Sequence, residues 1–173
     1  MSSNLDSIKS IKGKILKSIE FVQEKDDSII NKVRLNFGTS SMDISFYFHP
    51  KEIKGRILNI SELNFIPVKA HMPFDIDSIE PIQVRMIDER IKSVSARYQS
   101  FKIQKDSFEF CSAITINCEF RKYEIYKASV FDNKVYVSNV NDKIDKKTST
   151  KELVELYKSH IPDPFSLIEK IKQ

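Results

Sequence analysis

Between Phe108 and Phe120 apolar and polar side chains alternate without a break. Phe108, Phe110, Ser112, Ile114, Ile116, Cys118 and Phe120 fall on one side, and Glu109, Cys111, Ala113, Thr115, Asn117 and Glu119 on the other. Successive strand side chains point to opposite faces, so this spacing predicts a long strand with one apolar face. Val33, Leu35 and Phe37 alternate with Arg34 and Asn36, Gly38 to Ser41 supplies turn chemistry, and Met42, Ile44, Phe46 and Phe48 alternate with Asp43, Ser45, Tyr47 and His49. That pattern predicts a hairpin. Ile53 to Ile60 reads as a third strand and Ile66 to Ala70 as a fourth, which Pro67 would place at a sheet edge or strand start. His71 to Pro81 reads as a long connection broken by Pro73, Asp75, Asp77 and Pro81.

Ile82, Val84 and Met86 resume the alternation. Asp88 to Tyr98 fits strand, turn, strand, although Ile87, Ile91, Val94 and Tyr98 also fit helical spacing. Phe101 and Ile103 then lead through a turn at Lys105, Asp106 and Ser107 into the long strand. Beyond it, Glu124 to Phe131 predicts a strand, and Asp132 with Asn133 a tight loop into Val135 to Val137. The meander from Phe108 to Val137 is the expected core sheet.

The chain ends follow a different period. Leu5, Ile8, Ile11, Ile15, Ile19 and Val22 recur at three- and four-residue steps among Ser, Lys and Glu, which predicts an amphipathic helix. It packs on the sheet, or else lays a Lys-rich face on acidic lipid or on a partner; it has few aromatics for a membrane anchor. Asn139 to Thr150 is polar. Ser149 with Glu152 forms a capping box for a helix through Tyr157 and Ser159, and Asp163 with Pro164 starts a last helix carrying Phe165, Ile168 and Ile171. The expected organisation is therefore a helix over 1–24, an antiparallel β domain over 25–140, and a polar linker with C-terminal helices over 141–173.

Composition narrows the function more than the fold. At 173 residues, 40% hydrophobic and 30% charged, the chain is sized for one ordinary globular domain. Its three glycines, Gly13, Gly38 and Gly55, leave no phosphate-cradling loop or dinucleotide fingerprint. A net charge of +4 is too mild to call for nucleic acid. Cys111 and Cys118 sit an odd number of positions apart on one expected strand, so they project from opposite faces and cannot pair there. Unpaired thiols suit a reducing, cytoplasmic setting. No apolar run is long enough to span a bilayer.

Catalytic groupings are sparse. His49, His71 and His160 stand in separate contexts without ligand spacing, and His49 reads as a surface residue at a strand end. His71 with Asp75, Asp77 and Glu80 could form a hard-cation or general-base cluster, or simply a polar connection whose Asp residues make turns. Nothing pairs a nucleophile with a base, so no enzyme and no cofactor is expected. Basic residues gather loosely at Lys51, Lys54 and Arg56, at Arg85, Arg90, Lys92 and Arg97, and at Arg121, Lys122 and Lys127. With Tyr98, Phe101, Tyr123 or Tyr126 as stacking platforms they could bind nucleic acid, but interleaved acids make them read as a solvated sheet face.

One short segment suggests a ligand. In Ile53 to Glu62 a Gly-containing strand ends in Asn59, followed two residues later by Ser61; both side chains can bond nearby backbone and turn the chain into the strand at Phe65. Gly55, Asn59 and Ser61 resemble the corner motif of PilZ domains, with Asn64 where that family has glycine. The resemblance implies a six-stranded antiparallel barrel that binds cyclic di-GMP, in which Asn59 and Ser61 would orient a base. The family's upstream arginine pair, with three residues between, is missing. Lys32 and Arg34 are the nearest basic residues and would contact phosphate or guanine.

The expected function is a non-enzymatic PilZ-like binding or signalling module. It is either a divergent cyclic di-GMP receptor or a relative that lost the ligand and works through protein contacts, including contacts of its terminal helices. The alternatives are an apolar-ligand cavity lined by Phe108, Phe110, Ile114, Ile116 and Phe120, or a nucleic-acid module using the basic strand faces.

Overall fold

The computed structural model describes residues 2–22, 32–53, 55–69, 72–74, 81–103, 106–127, 135–139, 155 and 165–172. A short helix, α1 (Ser2–Lys9), leads through a turn at Gly13 into β1 (Ile15–Phe21). The following strands are β2 (Val33–Asn36), β3 (Ser40–Ile53), β4 (Arg56–Lys69), β5 (Gln83–Ile103), β6 (Asp106–Cys118), β7 (Lys122–Tyr126), β8 (Tyr136–Asn139) and β9 (Phe165–Lys172). They form one antiparallel sheet in the order β4-β3-β2-β1-β5-β6-β7-β8, with β9 joined to β5 beside β1. The fold is mainly β, as the alternation predicts, but the sheet is not closed into a barrel.

The terminal helices are corrected. Instead of one helix from Leu5 to Val22, α1 stops at Lys9 and Ile15–Phe21 is a strand paired with both β2 and β5. Gly13 at φ +84° makes the break, a conformation that side chains with a Cβ rarely adopt. The expected last helix is β9, paired antiparallel with Ala96–Ile103 of β5. Eight residues of strand partner outweigh a three-residue spacing of apolar side chains, because sheet pairing is set by tertiary neighbours. β1 and β9 are therefore strands of the same sheet. Of the helix expected after Ser149, Glu155 is the described residue, and it is helical.

β5 organises the sheet. Its first half, Gln83–Arg90, pairs with β1, and its second, Ile91–Ile103, with β6 on the opposite edge. The turn expected within Asp88–Tyr98 is a bulge in one continuous strand: Ile87 and Asp88 oppose a single β1 residue, with Asp88 at φ 57° and its carboxylate 2.6 Å from Lys17 Nζ. A second bulge falls in β6 at Ser112, whose carbonyl accepts Lys127 N at 2.8 Å. It shifts the alternation by one residue. Cys111 and Cys118 consequently both join the core, so the expectation of opposite faces fails although both thiols are free.

The core lies on one face of each half-sheet. Phe21, Val33, Ile44 and Phe65 form one cross-strand row; Val94, Ile116 and Tyr123 form another. Ile8 and Ile11 from the α1 region complete it, with α1 packed against β4 and β5. Phe120, expected in the apolar row of the long strand, lies past its end and is 82% exposed. Phe110 is buried outside the main cluster, so the supposed cavity row does not form one surface. Among the described residues no helix is long and apolar enough to cross a membrane.

Candidate functional site

Arg34 lies on the face of β2 that turns away from the core, opposite Asp43 on β3. Its Nε donates to Asp43 Oδ1 at 2.7 Å and its Nη2 to Oδ2 at 3.0 Å, the bidentate geometry that a planar guanidinium favours. Nη1 donates to the Met72 carbonyl at 2.6 Å, Nη2 also reaches that of Pro73 at 3.4 Å, and the Phe74 ring centre lies 4.9 Å from the guanidinium carbon. Hydrogen bonding to Asp43, against the opposing cost of burial, holds the Arg34 pKa above its ordinary value. Arg34 is thus a permanent cation that clamps the 72–74 segment onto β2 and β3. Lys32 Nζ stands 3.9 Å from Asp43 Oδ2 and 5.9 Å from the Phe74 ring centre, beside the same pair.

Asn59 and Ser61 are elsewhere. The corner expected at these residues is an uninterrupted stretch of β4, and the chain reverses at Gly55, φ +73°, between β3 and β4. Asn59 pairs opposite Pro50 and is exposed; Ser61 pairs opposite Phe48 and is buried. Asp43, the partner of Arg34, lies opposite Ile66. Asn59 and Ser61 are therefore roughly 23 and 17 Å from that level along β4, at about 3.3 Å per residue. Their positions in the alternation put them on the opposite face from Ile66. The structure brings Lys32 and Arg34 together and does not bring Asn59 or Ser61 to them.

What the hairpin register does create is a long arm. β3 and β4 pair without a shift from Ser40 with Lys69 to Ile53 with Arg56. The half nearest Ser40 gives the main core cluster Met42, Ile44, Leu63 and Phe65. Beyond Phe46 several side chains emerge into solvent, Tyr47 at 55% exposed, Phe48 39% and Ile57 73%, with Pro50, Glu52, Gly55 and Asn59 also exposed, while Ile60 and Ser61 stay buried. β4 is an edge strand, as Pro67 predicts.

The arm is tied down at its root. The Phe46 and Phe48 rings meet edge-on at 5.2 Å, and Lys127 Nζ sits 5.0 Å above Phe46. His49 Nε2 is 2.7 Å from Glu62 Oε1, while Glu62 Oε2 accepts the Cys111 amide of β6 at 3.4 Å. Glu62 thereby bridges the two half-sheets at the side where the sheet stays open. Burial, with the charges of Cys111, Glu62 and Glu109 nearby, pushes the Tyr98 phenol up to about 12.

Two further buried carboxylates, Glu89 and Glu124, are paired with arginines. Glu89 is buried and accepts the amides of Phe120 and Arg121 at 3.0 and 3.1 Å as well as the Arg121 guanidinium. Burial opposes its ionisation, but these hydrogen bonds prevail and hold its pKa below the usual carboxylate range. Arg97 pairs with buried Glu124. Burial pushes the Cys118 thiol up to about 11, and the fully buried Cys111 directs its sulfur to the Ala113 carbonyl at 3.7 Å. Both thiols are poor nucleophiles in these settings. Among the described residues no cluster of His, Cys, Asp and Glu could hold a metal ion. His71, Asp75, Asp77, Glu80 and His160 lie outside the described residues.

Sequence reasoning picked out Arg34 but missed Asp43, its cross-strand partner, and missed the arm. The signal for the arm is present: two alternating runs of equal length meet at Gly55. The chain matches no family model, no curated protein and no solved structure.

Proposed function

We propose that this chain is a non-enzymatic binding module whose contact element is the β3–β4 arm. The observation that carries the reading is the exposure of Ile57, 73%, and Tyr47, 55%, on a hairpin half that adds nothing to the main core cluster. Large apolar side chains held in water on a well-paired edge hairpin gain burial only when something docks on them. The cyclic di-GMP reading has less support, because Arg34 spends its donors on Asp43 and the 72–74 carbonyls and faces away from Asn59 and Ser61.

Two measurements test this. Ile57→Asp is expected to leave the thermal midpoint within about 2 °C of the parent, since surface substitutions away from packed features stay within roughly 0.5 kcal/mol. A drop of several degrees would mean that the arm serves the fold and would overturn the reading. Calorimetric titration with cyclic di-GMP is expected to show no heat; binding at micromolar protein would restore the receptor reading.

A further inference from the structure

At the start of β5 the polarity of the sheet is reversed. Gln83 and Arg85 are exposed on the face where their β1 partners Phe21 and Ile19 are buried, while Val84 and Met86, on the face turned away from the core, are 54% and 69% exposed. Ile82, 48% exposed, continues that apolar series. The same stretch has an unpaired backbone edge. β1 lies along one side of Gln83–Met86, but β6 joins the other side only from Ile91, opposite Cys118, and no other strand pairs there among the described residues. The Phe37 amide donates to the Ser40 carbonyl at 2.9 Å, and bonded pairs alternate with non-bonded ones along an antiparallel ladder. Counted through the β3–β2, β2–β1 and β1–β5 registers, Gln83 and Arg85 are the residues that bond to β1. Val84 and Met86 therefore turn N–H and C=O towards the open edge, and their side chains are exposed as well. Phe120 and Arg121, whose amides donate to Glu89, close the edge beyond Ile87.

We propose that two copies of the chain join along this edge, antiparallel about a two-fold axis at Val84, into one continuous sheet. In such a contact residue i of one copy meets j of the other, and the reverse. Centring on Val84 puts Val84 opposite Val84 and Ile82 opposite Met86, so apolar meets apolar on one face, with Gln83 opposite Arg85 on the other. The ladder phase makes the Val84 and Ile82–Met86 pairs the hydrogen-bonded ones. Pro81, which has no N–H, falls opposite Ile87 at a position that asks for none. Centring one residue later would set Arg85 against Arg85, and one residue earlier would leave Met86 without an apolar partner. The edge thus matches a second copy of itself in one register, which a foreign strand would have to reproduce. The contact is short, so association is weak and reversible.

The test is sedimentation of the full chain over a concentration series, joined to cysteine pairing. A monomer–dimer equilibrium is expected for the parent. Val84→Lys, which sets two ammonium groups opposite each other on the axis, is expected to stay monomeric throughout. Ile57→Asp, on the arm, is expected to dimerise like the parent, so this inference stands or falls apart from the arm's role. When Gln83→Cys is mixed with Arg85→Cys, one of them carrying a size tag, mild oxidation is expected to give a mixed disulfide, because non-bonded partners stand about 4.5 Å apart between Cα atoms. Each variant alone should cross-link far less, since like positions are then diagonal neighbours roughly 7–8 Å apart. The native thiols, Cys111 and Cys118, are buried and keep the background low. A parent that stays monomeric would overturn the proposal. So would Val84→Lys dimerising like the parent, or single variants cross-linking as fully as the mixture. If Val84→Lys lowers the thermal midpoint, the mixed disulfide alone decides.

Discussion

Replacing Asp43 by Ala tests whether the Arg34 pair is a structural clamp. The two side chains are only 5% and 8% exposed, so removing the carboxylate leaves a guanidinium with no countercharge in a place water barely reaches. Breaking such a pair from one side costs about 3–5 kcal/mol, a large part of the roughly 5–15 kcal/mol that stabilises a domain. Lys32 does not compensate, since it carries the same sign as Arg34. With a urea dependence near 2 kcal/mol per molar, the unfolding midpoint should fall by about 2 M. Salt should change this little, because buried pairs are weakly screened.

The informative control removes both charges. In Arg34→Met with Asp43→Leu, no ion is left uncompensated, and the losses are the hydrogen bonds to the Met72 and Pro73 carbonyls. Both those residues are exposed, so water can replace the donors at a cost of about 1–2 kcal/mol in total. The double variant should therefore recover more than half of the midpoint lost by Asp43→Ala. If the single variant loses less than about 0.5 M, or the double variant is as unstable as the single, the loss does not come from an orphaned charge and the clamp is wrong.

Two further outcomes follow from the buried polar groups. The depressed pKa of Glu89 means that its contribution to stability is present above the unfolded value, about 4.3, and is lost as pH falls through the lower folded value. Glu89→Gln should thus be less stable than the parent at neutral pH, and urea midpoints measured into the acid range should converge; a gap independent of pH would contradict the ionised, triply bonded carboxylate. Tyr123 is fully buried, and its hydroxyl has no hydrogen-bond partner among the described residues. Tyr123→Phe should be neutral or stabilising by about 1 kcal/mol in the same assay, and a loss of 2 kcal/mol or more would reveal a partner for the hydroxyl.

The sheet was legible wherever alternation ran unbroken and its partner lay close in sequence, as in the β2–β3 hairpin and the β6–β7–β8 meander. It was illegible where a single residue changed the phase. Ser112 is an ordinary serine in an ordinary strand pattern, yet the bulge there carries Cys111 to the core side. The chain ends failed for a related reason. Apolar residues three or four apart satisfy a helix locally, and nothing local in Phe165–Lys172 announces a partner at Ala96–Ile103. At the candidate site the fork of Arg34 was visible as chemistry, but whether it faces a ligand or Asp43 depends on a cross-strand register that only the fold determines.

The open side of the sheet explains why the arm is available. Closing the sheet would need its two end strands, β4 and β8, to exchange backbone hydrogen bonds, which would take up the outer edge of β4. Instead, the carboxylate of Glu62 reaches across and accepts the Cys111 amide, doing with a side chain what a neighbouring strand's carbonyl would do. One such bridge needs β4 near β6 only at its level, and the paired chain beyond it is free to extend. Ile8 and Ile11 complete the core without the outer half of the hairpin. Its outer length adds nothing to the main core cluster and leaves Ile57 and Tyr47 in water. The same geometry leaves Arg34, on the other face and nearer the base of the hairpin, to hold the scaffold together.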